Sequence, residues 1–154
     1  MKHLLVLATL VLSQAALADG FYCQNVQADL NIQIFNHTDA NMGTRTGSVM
    51  VLSDPRVNEG RKTIAKFTDV NTTLKSHSSV YDANVDLRYA DSRAKGENIG
   101  GTKLGQLDHI LVALDFSYQS PIADGQALSG AVKYVKRNGE VWTQSLRCTR
   151  YLKN

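Results

Sequence analysis

The chain has 154 residues, and 17 Lys and Arg against 14 Asp and Glu give it a formal net charge of +3 at pH 7. This length fits one domain, and a charge so close to balance does not indicate a nucleic acid or an acidic membrane surface as partner.

The first 18 residues have the three parts of a secretory signal peptide. Lys2 supplies the positive tip, a short apolar run follows, and Ala16-Leu17-Ala18 supplies the small residues of a cleavage site. The apolar run is shorter than the roughly 20 residues that a membrane-spanning helix needs. We therefore predict that residues 1–18 are removed and that the protein is exported, to the periplasm or beyond. Residues 19–154 should form a single domain with no membrane span.

The two cysteines, Cys23 and Cys148, lie near the two ends of this predicted domain. Cysteines in exported proteins usually pair, because the compartment is oxidising. We therefore predict a disulfide bond between them that joins the first and last strands.

Alternation of apolar and polar residues with a period of two dominates the domain and predicts β-strands. The pattern runs through segments 28–35, 47–53, 61–67, 79–90 and 109–118, whereas 71–79 is too rich in Thr and Ser to assign. In segment 79–90, Tyr81, Val85 and Tyr89 share one face, while Asp82 and Asp86 share the other. One face of such a strand is buried and one faces water.

A long polar connection, residues 91–106, follows the fourth of these segments and contains four glycines. Connections of this length are uncommon in compact domains and often bind something. Its charged residues Arg93, Lys95, Glu97 and Lys103 are therefore candidate binding residues. We expect the connection to contribute little to the core.

The last hairpin contains Asn138-Gly139, a strong turn signal. A two-residue turn would mix charged and apolar side chains on both faces. A three-residue loop with Gly139 left-handed separates them and pairs Lys136 with Glu140 and Tyr134 with Trp142. We therefore predict the three-residue loop, which also brings Cys148 to the buried face.

Together these features predict an all-β fold, an antiparallel meander of about 6–8 strands closed as a small barrel or sandwich. The inward aromatic residues include Tyr89, Tyr118, Tyr134 and Trp142. In a roomy barrel they could line a cavity for an apolar ligand, with Gln144 as a polar anchor. The alternative is that these side chains fill the core.

Motifs of catalysis or metal binding are missing from the sequence. The nucleophile motif G-x-S-x-G does not occur, and the histidines of the predicted domain are scattered. Asp108 and His109 are adjacent in a predicted strand, so they should point to opposite faces and not act as a pair. We expect no enzymatic activity, no cofactor and no metal.

Three short features resemble the periplasmic inhibitors of c-type lysozyme. They are Phe21-Tyr22-Cys23, the Ser-Gly-Ala-Val-Lys-Tyr segment at 129–134 followed by Trp142, and the late Cys148. Members of that family are β-barrels with a Tyr-x-Cys start, an inhibitory Ser-Gly-Ala-Arg/Lys-Tyr loop and a later Trp-x-Lys-Gly. Here Val132 interrupts the loop motif, and the Lys-Gly after the tryptophan is missing.

We therefore expect an exported binding module whose extracytoplasmic partner is a protein, a glycan or a small apolar ligand. The resemblance implies an alternative, a periplasmic or secreted inhibitor of a hydrolase such as lysozyme. A small hydrolase with an unrecognised site is the third interpretation.

Overall fold

The computed structural model describes residues 18–27, 29–38, 45–56, 62–74, 78–86, 94–115 and 123–153. The predicted signal peptide therefore lies outside the described residues, apart from Ala18. Within these ranges the regular structure is almost entirely antiparallel β-strand, which confirms the predicted fold class. No helix of the described residues is long and apolar enough to cross a membrane.

Eleven strands and two short 3-10 turns make up the described structure. The strands are β1 (Ala18–Asn25), β2 (Asn31–Thr38), β3 (Arg45–Asp54), β4 (Lys62–Phe67), β5 (Val70–Leu74), β6 (Ser79–Asn84), β7 (Asn98–Ile99), β8 (Thr102–Lys103), β9 (Leu107–Leu114), β10 (Ala127–Lys136) and β11 (Val141–Lys153). The 3-10 turns are Ala94–Gly96 and Leu104–Gln106.

Nine of the strands form one curled antiparallel sheet in the order β4-β3-β2-β1-β11-β10-β9-β6-β5. Only Thr68 and Asp69 separate β4 from β5, so these two are halves of one bent strand. The first half pairs with β3 and the second with β6. The sheet is therefore a nearly closed barrel in which strands next to each other in the chain are also neighbours in space.

The period-two pattern explains which side chains fill the barrel. Ile32 and Ile34 of β2, Tyr81 of β6 and Val112 of β9 are fully buried, and the residues between them face outward. Each such side chain contributes about 1.5–3 kcal/mol through its burial. The inward positions predicted for Tyr81 and Tyr134 are confirmed, whereas the predicted inward residues Tyr89 and Tyr118 lie outside the described residues.

Polar side chains add to the apolar contacts between the bent strand and β3 inside the barrel. Ser48 Oγ donates a hydrogen bond to Asn36 Oδ1 (2.9 Å) and lies 3.1 Å from Thr72 Oγ1. Asn36 and Ser48 are each only 1% exposed, so these hydrogen bonds replace the water that Asn36 Oδ1 and Ser48 Oγ have lost. The polar inward position of Thr72 explains why β5 lacks a clear strand pattern.

The disulfide Cys23–Cys148 joins β1 to β11, as predicted, and closes a sequence separation of 125 residues. The two cysteines lie directly opposite each other in the ladder, with both side chains buried. Gly130 of the neighbouring strand leaves room for this core, because a Cβ there would lie 2.9 Å from Leu114 Cδ2.

The β10–β11 hairpin has the predicted register. Tyr134 pairs with Trp142, and the Lys136 amide donates to the Glu140 carbonyl (2.8 Å). Gly139 is left-handed, with φ of 86°, and its amide donates to the Lys136 carbonyl (2.9 Å). Lys136 Nζ also lies 2.9 Å from Glu140 Oε2, so opposite charges face each other across the turn.

Candidate functional site

The described part of the polar connection, residues 94–106, is called the loop segment below. Strands β7 and β8 form a small hairpin within it, and Gly100 and Gly101 make its turn with φ of 54° and 91°. The Leu104 amide donates to the Glu97 carbonyl (3.1 Å) and brings the two ends of this hairpin together.

The loop segment is packed against the barrel, which differs from the expectation that it contributes little to the core. Ile99 is fully buried, and Leu104 is 1% exposed. Thr102 is also buried, and its hydroxyl donates to Gln106 Oε1 (3.0 Å). The segment is polar on average, but these two isolated apolar side chains are enough to anchor it.

Tyr134, Trp142 and Gln144, three of the predicted cavity residues, lie together and are called the aromatic cluster below. The rings of Tyr134 and Trp142 stack with centroids 4.7 Å apart. The Tyr134 hydroxyl donates to Gln144 Oε1 (3.1 Å). Burial, with a smaller contribution from the charge of Asp29, raises the pKa of Tyr134 above its usual value.

The loop segment covers the aromatic cluster through Gly100. Trp142 Nε1 donates to the Gly100 carbonyl (3.1 Å). A Cβ on Gly100 would lie 2.6 Å from the Tyr134 hydroxyl and 2.7 Å from Gln144 Oε1, so only glycine allows this approach. The loop segment and the aromatic cluster, which lie 28 or more positions apart in the sequence, are therefore in direct contact through Gly100.

The charged side chains of the loop segment differ in exposure. Lys95 and Lys103 are exposed and Glu97 is half-buried, whereas the fourth candidate, Arg93, lies outside the described residues. These three described residues are called the loop surface below.

The β10–β11 turn lies beside the loop segment and supports it. The Arg137 amide donates to the Gln106 carbonyl (3.0 Å), and Arg137 Nη2 donates to the Val85 carbonyl (2.8 Å). Lys136 Nζ lies 5.2 Å from the centroid of the Trp142 ring. The neighbouring Lys136 ammonium lowers the pKa of the Glu140 carboxyl, which keeps this turn charged on both sides.

A second polar group, which no pattern in the sequence predicts, lies on the outer wall. His109 Nδ1 is 2.8 Å from Asp82 Oδ1, and His109 Nε2 is 3.2 Å from Asp108 Oδ2. Asp108 and His109 therefore do interact, contrary to expectation, because the β9–β10 register shifts at Val135 and Lys136. Such a bulge puts two consecutive residues on one face.

The histidine group consists of His109, Asp82 and Asp108. Each ring nitrogen of His109 lies beside a carboxylate oxygen, so these side chains join β6 to β9 on the outer wall. In the part of the chain that the structure describes, no three His, Cys, Asp or Glu residues are grouped to hold a metal ion.

Comparisons with protein-family models, curated proteins and solved structures give no match to this chain. The segment 129–134, which resembles the inhibitory loop of the lysozyme inhibitors, lies in the middle of β10. Ser129 and Lys133 point outward from that strand, whereas Tyr134 is buried within the aromatic cluster.

Proposed function

We propose that this protein is an exported, non-enzymatic binding module that contacts a protein partner through the loop surface. The observation that carries the proposal is the hydrogen bond from Trp142 Nε1 to the Gly100 carbonyl, together with the burial of Ile99. These contacts fix a polar, charged loop on a rigid barrel.

A loop held in one conformation is well suited to binding. Ordering a flexible loop on association costs free energy, and a loop that is already fixed avoids most of that cost. Lys95 and Lys103 project from this loop into solvent and have no role in the core. Binding residues are often found on loops that a rigid scaffold positions in this way.

The arrangement of the aromatic cluster favours a surface partner over an apolar ligand inside the barrel. Tyr134 is fully buried and hydrogen-bonded to Gln144, and Gly100 contacts both. An apolar ligand at this place would have to displace the loop segment and leave the Gly100 carbonyl without its donor. Breaking such a bond costs about 1–3 kcal/mol.

Inhibition of a hydrolase is the second candidate, and the resemblance to lysozyme inhibitors favours it. The inhibitory motif of that family is a loop, whereas the similar segment of this chain is part of β10. An inhibitor of this design would therefore have to use the loop surface and not segment 129–134. A lysis assay with purified c-type lysozyme separates this candidate from a more general binding module.

The test of the loop surface is affinity capture with charge-reversed variants. Lys95→Glu combined with Lys103→Glu changes two exposed side chains, so the fold should be kept. Lys66→Glu, on the outer face of β4, is the matched control. Wild type and the control should both retain a partner protein from an extracytoplasmic fraction. We expect the double variant not to retain it. Equal retention by all three proteins would contradict the proposal.

A further inference from the structure

An open groove of about 460 Å³ lies on the outer wall of the barrel, where β1, β11 and β10 run side by side. Its lining residues are Tyr22, Gln24, Ala127, Leu128, Ser129, Arg147, Cys148 and Thr149. The groove arises from a contrast in size, because long side chains on β1 and β11 stand beside the small residues Ala127 and Ser129 of β10. Neither the loop segment nor the aromatic cluster contributes to it.

The groove has a rigid floor. It lies over the pair Cys23 and Cys148, where the disulfide joins the first and last strands. Gln24 pairs with Arg147, and Arg147 pairs with Ser129, so these three side chains form one row across the wall. Tyr22, Thr149 and Ala127 form the next row.

The polar groups in the groove are those that recognise a sugar with a carboxylate. Tyr22 offers an aromatic ring with a polar edge, and the face of such a ring can pack against the apolar face of a sugar. Ser129 and Thr149 are exposed hydroxyls. The Gln24 amide donates to Asn31 Oδ1 (3.2 Å), which fixes the side chain and leaves its carbonyl oxygen to accept from a ligand hydroxyl.

The charge of the groove selects an acidic ligand. Arg147 is exposed, and its guanidinium can hold a carboxylate through two parallel hydrogen bonds. Among the lining residues, all of which belong to the described chain, none is acidic. Asp115, which follows β9 beside Ser129, does not line the groove.

We propose that this groove binds an acidic saccharide, with Arg147 holding the sugar carboxylate and Tyr22 contacting the sugar ring. The open shape suits such a ligand, because the hydroxyls of a bound sugar that point away from the protein stay in water. This inference does not depend on the loop surface, since the two places share no residue.

Titration calorimetry with three carboxylated oligosaccharides tests the proposal: a tetragalacturonate, a hyaluronan tetrasaccharide and sialyllactose. Maltotetraose is the neutral comparison, and hexaglutamate is the acidic peptide comparison. We expect at least one carboxylated sugar to bind at millimolar concentration or below, and neither comparison ligand to bind as tightly. Arg147→Gln should weaken that binding about tenfold or more, whereas Lys133→Gln, on the same wall outside the groove, should change it less than twofold.

Several results would overturn the proposal. Failure of all three sugars to bind would exclude an acidic saccharide, and equal binding of hexaglutamate would assign the groove to an acidic protein. An equal loss in Lys133→Gln would mean that charge alone attracts the ligand.

NMR chemical-shift changes locate the bound sugar. Changes at the backbone amides of Ser129, Arg147 and Thr149 on addition of the sugar would place it in the groove. Shifts confined to residues 94–106 would instead assign the sugar to the loop segment and contradict this inference.

Discussion

Two glycines illustrate different demands of the backbone at the scale of a residue. Gly139 is needed for its left-handed φ of 86°. Space is not the reason, because a Cβ there would meet nothing within 4 Å. Gly20 is needed for space, because the Tyr151 ring crosses β1 there and its hydroxyl donates to the Ile34 carbonyl (3.1 Å). Burial, with a smaller contribution from Asp19, raises the pKa of the Tyr151 hydroxyl to about 12.

The cost of replacing Gly139 should therefore be purely conformational. We expect Gly139→Ala to lower the free energy of unfolding by about 1 kcal/mol, because alanine resists the left-handed region. Urea denaturation measures this change. Gly47→Ala is the control, since Gly47 also has open space around its Cβ but no positive φ, and it should be close to neutral. If the two variants have the same midpoint, the left-handed turn is wrong.

At the scale of an element, the loop segment shows that a polar composition does not exclude burial. Two buried residues, Ile99 and Leu104, anchor it, and the sequence around them has no periodic pattern of apolar residues that would predict their burial. The close approach of Gly100 to Tyr134 and Gln144 depends on the fold of two strands that lie later in the chain. A short irregular element of this kind is fixed by tertiary contacts.

Removal of the Ile99 side chain should consequently destabilise the protein. We expect Ile99→Ala to lower the free energy of unfolding by about 2–5 kcal/mol, from lost burial and the cavity left behind. Lys103→Ala, which removes an exposed side chain of the same hairpin, should stay within about 0.5 kcal/mol of wild type. Equal stability of both variants in urea would show that the segment does not pack as described.

The strands show which features of the fold the sequence predicts and why other features could not be predicted. The register of β10 and β11 follows from one turn signal and from the sorting of side chains, which puts Tyr134 and Trp142 on one face and Lys133 and Thr143 on the other. Strand β5 could not be assigned because Thr72, which contacts Ser48, shares its inward face with the buried Val70 and interrupts the apolar pattern. Local patterns report on apolar burial and cannot report a hydrogen bond formed across the barrel.

The β-bulge could not be predicted from the sequence for a related reason. The contact between Asp108 and His109 requires two consecutive residues on one face, and alternation assumes that this does not happen. The shift that allows it is set by how β9 meets β10 near Val135, which is a property of the pair of strands. The pairing of Tyr134 with Trp142 was therefore predicted from the sequence, whereas the contact of Gly100 with Tyr134 and Gln144 was not.

At the scale of the whole molecule, a disulfide bond and a set of buried hydrogen bonds hold the barrel together. The disulfide joins its first and last strands across 125 residues, which the chain-entropy model values at about 4–5 kcal/mol. Hydrogen bonds between Asn36, Ser48 and Thr72 tie the bent strand to β3. The loop segment is attached to this closed scaffold, so the loop surface should be as persistent as the barrel itself.

Amide hydrogen exchange under native conditions tests that claim most directly. The Leu104 amide, which donates to the Glu97 carbonyl, reports opening of the loop segment, and the Val112 amide of β9 reports opening of the barrel. Regions that open only together have similar exchange free energies. We predict that the two amides agree within about 1 kcal/mol. Rapid exchange at Leu104 while Val112 stays protected would contradict the account, because the loop surface would then open independently of the barrel.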